Sequence, residues 1–101
     1  MNNKIYRLSE TDWFAAPDRI SAIKCQKKYL NQMFEGDDYK AELKCVAKYW
    51  DDPPLDDSEL DRLMFTCEEG SKPFKRSFKK QLKFLEETGE IFPCLFATTE
   101  Y

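Results

Sequence analysis

Pro53-Pro54 sets the hardest limit on how this chain folds. Neither ring donates a backbone amide, and each pushes the residue before it towards extended geometry, so a helix arriving from the N-terminal side has to stop by Asp52. Ahead of that stop, Tyr39, Leu43, Val46, Ala47 and Trp50 recur at spacings of four, three, one and three. They form the buried stripe of a helix that Asp37 or Asp38 would cap. An earlier stripe of Ile20, Ile23, Leu30, Met33 and Phe34 predicts another helix, entered through Pro17 and Asp18 and stopped at Gly36.

Strand signals surround these helices. Residues 5–8 and 13–16 are short apolar pieces joined by the turn residues Ser9-Glu10-Thr11-Asp12, which predicts a hairpin or one bent strand. Past the prolines, Asp56 faces Glu59 in a capping box that starts a short turn of helix and carries Leu60 and Leu63 inward. Residues 64–67 then read as a strand. Ser71 is expected to cap a third major helix with Phe74, Phe78, Leu82 and Leu85 on its apolar face, closed by Gly89. Residues 91–98 are apolar on both alternations, as in a strand covered on two sides, but Pro93 limits that strand to an edge or a bulge. The expected architecture is a single α+β domain over residues 1–101, with about three strands and three helices packed on the sheet. At 101 residues, 42% of them apolar and 15% aromatic, the chain has the material for a packed core.

Charge is distributed in blocks. Residues 51–62 hold the six acids Asp51, Asp52, Asp56, Asp57, Glu59 and Asp61 against the one base Arg62. Residues 72–83 hold Lys72, Lys75, Arg76, Lys79, Lys80 and Lys83 and no acid. The net charge of −3 conceals this asymmetry. Opposed blocks on a small body favour recognition of a charged macromolecule over chemistry on a small molecule. The plain alternative for the acids is a solvated turn with helix-capping carboxylates. For the bases it is a solvated helix face with Phe74, Phe78, Phe84 and Leu82 buried, in which case the aromatics are not stacking platforms.

Several chemistries are excluded. The chain has no histidine, which removes Ser-His, Cys-His and zinc-hydrolase arrangements. Gly36, Gly70 and Gly89 stand too far apart for a phosphate-binding loop. Asp18 with Glu42-Leu43-Lys44 has the letters of a metal-dependent nuclease motif, but the acids would head or sit inside different helices, and Glu42 and Lys44 would point to different sides of theirs. Asp51 to Asp61 lacks the glycine and spacing of an EF-hand loop. Cys25, Cys45, Cys67 and Cys94 lie 20, 22 and 27 apart, with no metal-binding or redox spacing, and read as reduced, half-buried thiols of a cytosolic protein. No cofactor, metal, signal sequence or membrane span is expected. Trp13 and Trp50 sit beside apolar stripes and read as core residues, and Tyr101 as a frayed end.

The segment from Tyr6 through Asp12-Trp13-Phe14-Ala15-Ala16, the central Asp52-Pro53 with Glu59-Leu60-Asp61-Arg62-Leu63, and the closing Phe92-Pro93-Cys94-Leu95-Phe96-Ala97-Thr98-Thr99-Glu100-Tyr101 resemble a group of short phage and prophage accessory proteins. The resemblance implies a genetic context, a phage or mobile-element protein acting in the cytoplasm of a bacterial host, and no activity. It directs attention to a non-enzymatic binding protein, such as an anti-CRISPR inhibitor of a host defence complex. Asp51, Asp52, Asp56, Asp57, Glu59 and Asp61 would then contact a host protein or ribonucleoprotein complex. A nucleic-acid-binding module using Lys72, Lys75, Arg76, Lys79, Lys80 and Lys83 is the alternative, and a virion structural or morphogenetic component is a further one.

Overall fold

The computed structural model describes residues 3–69 and 72–98. In chain order the elements are strands β1 (Lys4–Arg7) and β2 (Asp12–Ala16) and helices α1 (Arg19–Met33) and α2 (Gly36–Val46). A 3-10 turn (Ala47–Tyr49), helix α3 (Asp57–Arg62), strands β3 (Met64–Glu69) and β4 (Lys72–Ser77), helix α4 (Phe78–Glu87) and strand β5 (Cys94–Thr98) follow. The class is α+β, as the sequence indicates, but the count differs. There are five strands in two sheets and four α-helices among the described residues, where three of each were expected.

The chain divides into two compact units, one made of residues up to Pro54 together with those from Phe92 onward, the other of Leu55–Ile91. The first is built on a three-stranded antiparallel sheet in the order β1-β2-β5. The hairpin β1–β2 forms because Ser9 closes its turn, the hydroxyl accepting from the Thr11 and Asp12 amides at 3.2 and 3.0 Å. Strand β5 lies at the sheet edge, immediately after Pro93, which is where a residue without an amide is tolerated. Trp13 faces Ala97 while Phe14 faces Leu95, so Phe96 is the bulged residue of β5, and its side chain is buried. Tyr6, Leu8, Phe14 and Ala16 form a cluster with Ala22 of α1, and Ile23, Cys25, Tyr29, Trp50 and Leu95 pack against it.

Helix α1 buries only part of the expected stripe: Leu30 is buried, and Ile23 and Phe34 are half-buried. Its enclosed residues are Ala22, Gln26 and Leu30, whereas Ile20 and Met33 are 68% and 53% exposed. A polar side chain holds the centre of the face because both of its ends are satisfied. Gln26 Nε2 donates to the Leu8 carbonyl at 2.6 Å, and Trp50 Nε1 donates to Gln26 Oε1 at 2.7 Å. The interaction ties the hairpin, α1 and the end of the 3-10 turn together. Trp50 is half-buried through this contact, and Trp13 is half-buried on β2.

Helix α2 departs slightly from expectation. Its N-cap is Glu35, with no side-chain cap bond, and Asp37 and Asp38 occupy the first turn, where their charge meets the positive end of the helix dipole. Gly36 opens α2 at φ +55° instead of ending α1, which has already stopped at Met33. Of the expected α2 stripe, Val46 is buried and Leu43, Ala47 and Trp50 are half-buried.

The Leu55–Ile91 unit holds the larger correction. Residues 72–77 form a strand and not the first turns of a helix, pairing antiparallel with β3 from Met64↔Ser77 to Glu69↔Lys72. Helix α4 therefore starts at Phe78, capped by Ser77, whose hydroxyl accepts from the Lys80 amide at 3.2 Å. Ser71, the expected cap, lies outside the described residues. Pro73 is accommodated because both strands of a two-stranded ribbon have a free edge. The helix packs on the hairpin through Phe78, whose ring meets Phe65 edge-on at 6.5 Å, and the Phe78 amide donates to the Leu63 carbonyl at 2.9 Å. At the other end Gly89, at φ +81°, lets the Glu90 amide reach back to the Leu85 carbonyl at 3.0 Å, the closure expected of that glycine.

Candidate functional site

The acidic run is shaped first by its prolines and then by its caps. Trp50 and Asp52 amides donate to the carbonyls of Ala47 and Tyr49, turning the chain after the 3-10 segment, and Arg19 holds the turn by donating to the Asp52 carbonyl at 3.0 Å. The carboxylates of Asp51 and Asp52 remain exposed. In α3 the expected capping box is present. Asp56 Oδ1 accepts from the Glu59 amide at 2.8 Å, and Glu59 Oε1 accepts from the Asp56 amide at 3.4 Å. Asp56 and Glu59 are thus occupied in holding the helix, while Asp57 and Asp61, one turn apart, share an exposed face.

The six acids do not all belong to one body. Asp51 and Asp52 fall in the sheet unit, and Asp56, Asp57, Glu59 and Asp61 in the hairpin unit.

The six bases all belong to the hairpin unit, but not to one helix. Lys72, Lys75 and Arg76 are on β4, and Lys79, Lys80 and Lys83 are on α4. The side chain of Lys72 lies outside the description; Lys75 and the three α4 lysines are exposed. Lys79 Nζ lies 3.9 Å from Asp61 Oδ1, with both side chains more than half exposed, an ion pair long and wet enough to contribute little. The acidic and basic blocks therefore meet at one edge in this unit and stay largely separate.

Arg76 differs from the lysines. Its guanidinium carbon lies 5.0 Å from the Phe74 ring centre and 4.8 Å from that of Phe84, and these rings keep 37% and 41% of their surface exposed. Phe74 and Phe84 were both expected to be buried with the helix core, and both are exposed. Placing Phe74 on a strand instead brings it to the surface beside the one arginine of the basic block. Helical periodicity could not reveal this, since residues 74, 78 and 82 fit the same spacing in either case.

Sequence reasoning also missed an open cleft of about 500 Å³ in the sheet unit, lined among others by Glu10, Asp12, Tyr29, Glu42, Tyr49 and Thr98. Thr98 Oγ1 donates to Asp12 Oδ1 at 2.6 Å. Arg7 and Lys48 lie over the Tyr49 ring at 5.8 and 5.4 Å, so this chain's own cations already sit at its π surface. Among the described residues no group of three His, Cys, Asp or Glu side chains is placed to hold a metal.

The nuclease-like residues are not gathered. Asp18 is the N-cap of α1, and the Ser21 amide at 2.7 Å, helped by the Ser21 hydroxyl, holds its carboxyl below the ordinary range. Glu42 lines the cleft beside Leu30 and Met33, near the far end of the same helix, about 20 Å of helix away.

Cys25 and Cys45 are free thiols. Burial pushes the Cys25 thiol up despite Lys28 nearby, whereas Cys45 is exposed on α2, against the expectation of half-burial. The Cys67 side chain and Tyr101 lie outside the description. No described helix is long and apolar enough to cross a membrane.

The chain matches no family model, no curated protein and no solved structure.

Proposed function

We propose that this chain is a non-enzymatic binding protein of a phage or mobile element that inhibits a host defence complex, as anti-CRISPR proteins do, by protein–protein contact through its acidic surface. The carboxylates take the place of nucleic-acid phosphate on a basic surface of a host protein or ribonucleoprotein complex. The observation that carries this reading is the exposure of Asp57 and Asp61 on one face of α3, where the Asp56–Glu59 capping box holds the backbone; in the sheet unit Asp51 and Asp52 are exposed on a turn that Arg19 holds. Acids presented on a backbone that is already ordered lose little conformational freedom on docking, so more of the electrostatic attraction remains as affinity. Contact of this kind forms quickly and weakens with salt.

The structure also dictates which acids to change. Asp56 and Glu59 hold a helix and should be left, while Asp51, Asp52, Asp57 and Asp61 can all become Asn without loss of a described cap. Immobilised parent chain is expected to retain a bacterial protein or ribonucleoprotein complex at low salt, and the fourfold Asn variant, melting at the same temperature, to lose it. Undiminished capture by that variant overturns the reading.

A further inference from the structure

We infer that the surface formed by β4 and the first two turns of α4 binds single-stranded nucleic acid. It uses none of the acids proposed above and stands independently of them. Two half-exposed aromatic rings from different elements converge on one guanidinium, with Phe74 and Phe84 at 5.0 and 4.8 Å from Arg76. Unpaired bases stack on such rings and on guanidinium planes, whereas a duplex keeps its base faces inside and can offer only phosphates.

Lysines of α4 flank this cluster. Lys80 lies one turn before Phe84 and shares its side of the helix, and Lys83 lies one turn on from Lys80; both are exposed, whereas Lys75 alternates with Phe74 and Arg76 along β4 and belongs to the other face of the hairpin. Lys79 belongs to the same block but has Asp61 at 3.9 Å. Glu86 and Glu87 lie at the other end of α4 and would repel a backbone there, which confines the strand to the first two turns and β4.

The ordering of charge within α4 supports a bound anion. Helices α2 and α3 follow the dipole, with Asp37 and Asp38, or Asp57 and Glu59, in the first turn and Lys44 or Arg62 in the last. Helix α4 has it reversed, with Lys79 and Lys80 at the positive end, no acid in the first turn and no base in the last. Such an arrangement is unfavourable for the isolated helix, and phosphates lying across the lysines offset it. Charge complementarity and exposed rings in the same place thus select a single-stranded polyanion with π faces, which is what separates nucleic acid from an acidic peptide.

Fluorescence anisotropy with labelled oligo(dT) and oligo(U) of about twelve nucleotides tests this. Binding is expected at low salt, with log affinity falling against log salt at a slope of about −2 to −3 if three or four phosphates are contacted. The two probes distinguish DNA from RNA as the preferred form. Phe74→Ala and Phe84→Ala are each expected to weaken binding roughly tenfold. The paired variant Lys80→Gln with Lys83→Gln, which touches no core residue, should flatten the salt slope by about 1 to 1.5. The fourfold Asn variant of the acidic stretch should bind the probes at least as well as the parent. No binding at low salt overturns the inference. So does equal affinity for a duplex of the same length, equal affinity for polyglutamate, or binding unaltered by loss of both phenylalanines.

Discussion

In the sheet unit Ile5, Phe14, Ala15 and Ala16 are wholly enclosed, while in the Leu55–Ile91 unit the most enclosed described side chain, Phe78, keeps 4% of its surface and Phe74 and Phe84 keep more than a third. Each unit takes a glutamine inside, Gln26 in the first and Gln81 in the second, but the sheet unit encloses its glutamine more fully and satisfies both ends, while the hairpin unit runs the charges of α4 against the helix dipole. One region is arranged to stay folded, and the other gives up local stability where it meets solvent. Departures from local rules tend to gather where a surface has a use.

Matched substitutions test that contrast most severely. Phe14→Ala and Phe78→Ala remove the same atoms from the two units, and truncation of a buried phenylalanine costs about 3–5 kcal/mol. Phe14→Ala is expected near the top of that range and Phe78→Ala near the bottom, measured by urea unfolding. The reverse order would break the comparison. Gln26→Leu comes next. It leaves the Leu8 carbonyl and the Trp50 indole N–H without their partners, and about 2–4 kcal/mol should be lost even though the new side chain is more apolar. A stabilised Gln26→Leu protein would show that the site tolerates water or collapses. The smallest effect has the opposite sign. Lys80→Glu puts an acid in the first turn of α4 and should raise stability by about 0.3–1 kcal/mol, seen as a higher Tm at low salt, while removing a cation from the proposed nucleic-acid surface.

Several local, chemical signals carried through to the structure, although the cap expected from Asp37 or Asp38, the Gly36 stop and the Ser71 cap did not. The Asp56–Glu59 capping box, the Gly89 closure of α4, the Ser9–Asp12 turn and the edge position forced by Pro93 all follow from which backbone groups a given residue can donate, accept or leave open. Signals that relied on apolar spacing were weaker. On α1 the pattern Ile20, Ile23, Leu30 and Met33 suggested a face that Gln26 in fact centres, because a glutamine with two partners is as good a core residue as leucine, and periodicity cannot see partners. Residues 72–77 followed helical spacing with Phe78 and Leu82, yet six residue pairs with β3 outweighed that local preference. The candidate site inherited this error. The basic block was legible as charge, but the meeting of Phe74, Arg76 and Phe84 depends on a strand and a helix packing together, which no single-element pattern contains.

The order of strands in the sheet has a consequence for synthesis. Strand β2 lies between β1 and β5, yet more than seventy residues of chain, including the whole of Leu55–Ile91, separate it from β5. As the polypeptide leaves the ribosome, the later hairpin can zip from its own neighbours, since β3 and β4 pair across a short connection. The earlier hairpin meanwhile keeps one row of amides and carbonyls open until Cys94–Thr98 emerges to cover it. The part of the molecule that ends up best enclosed is therefore the part completed last.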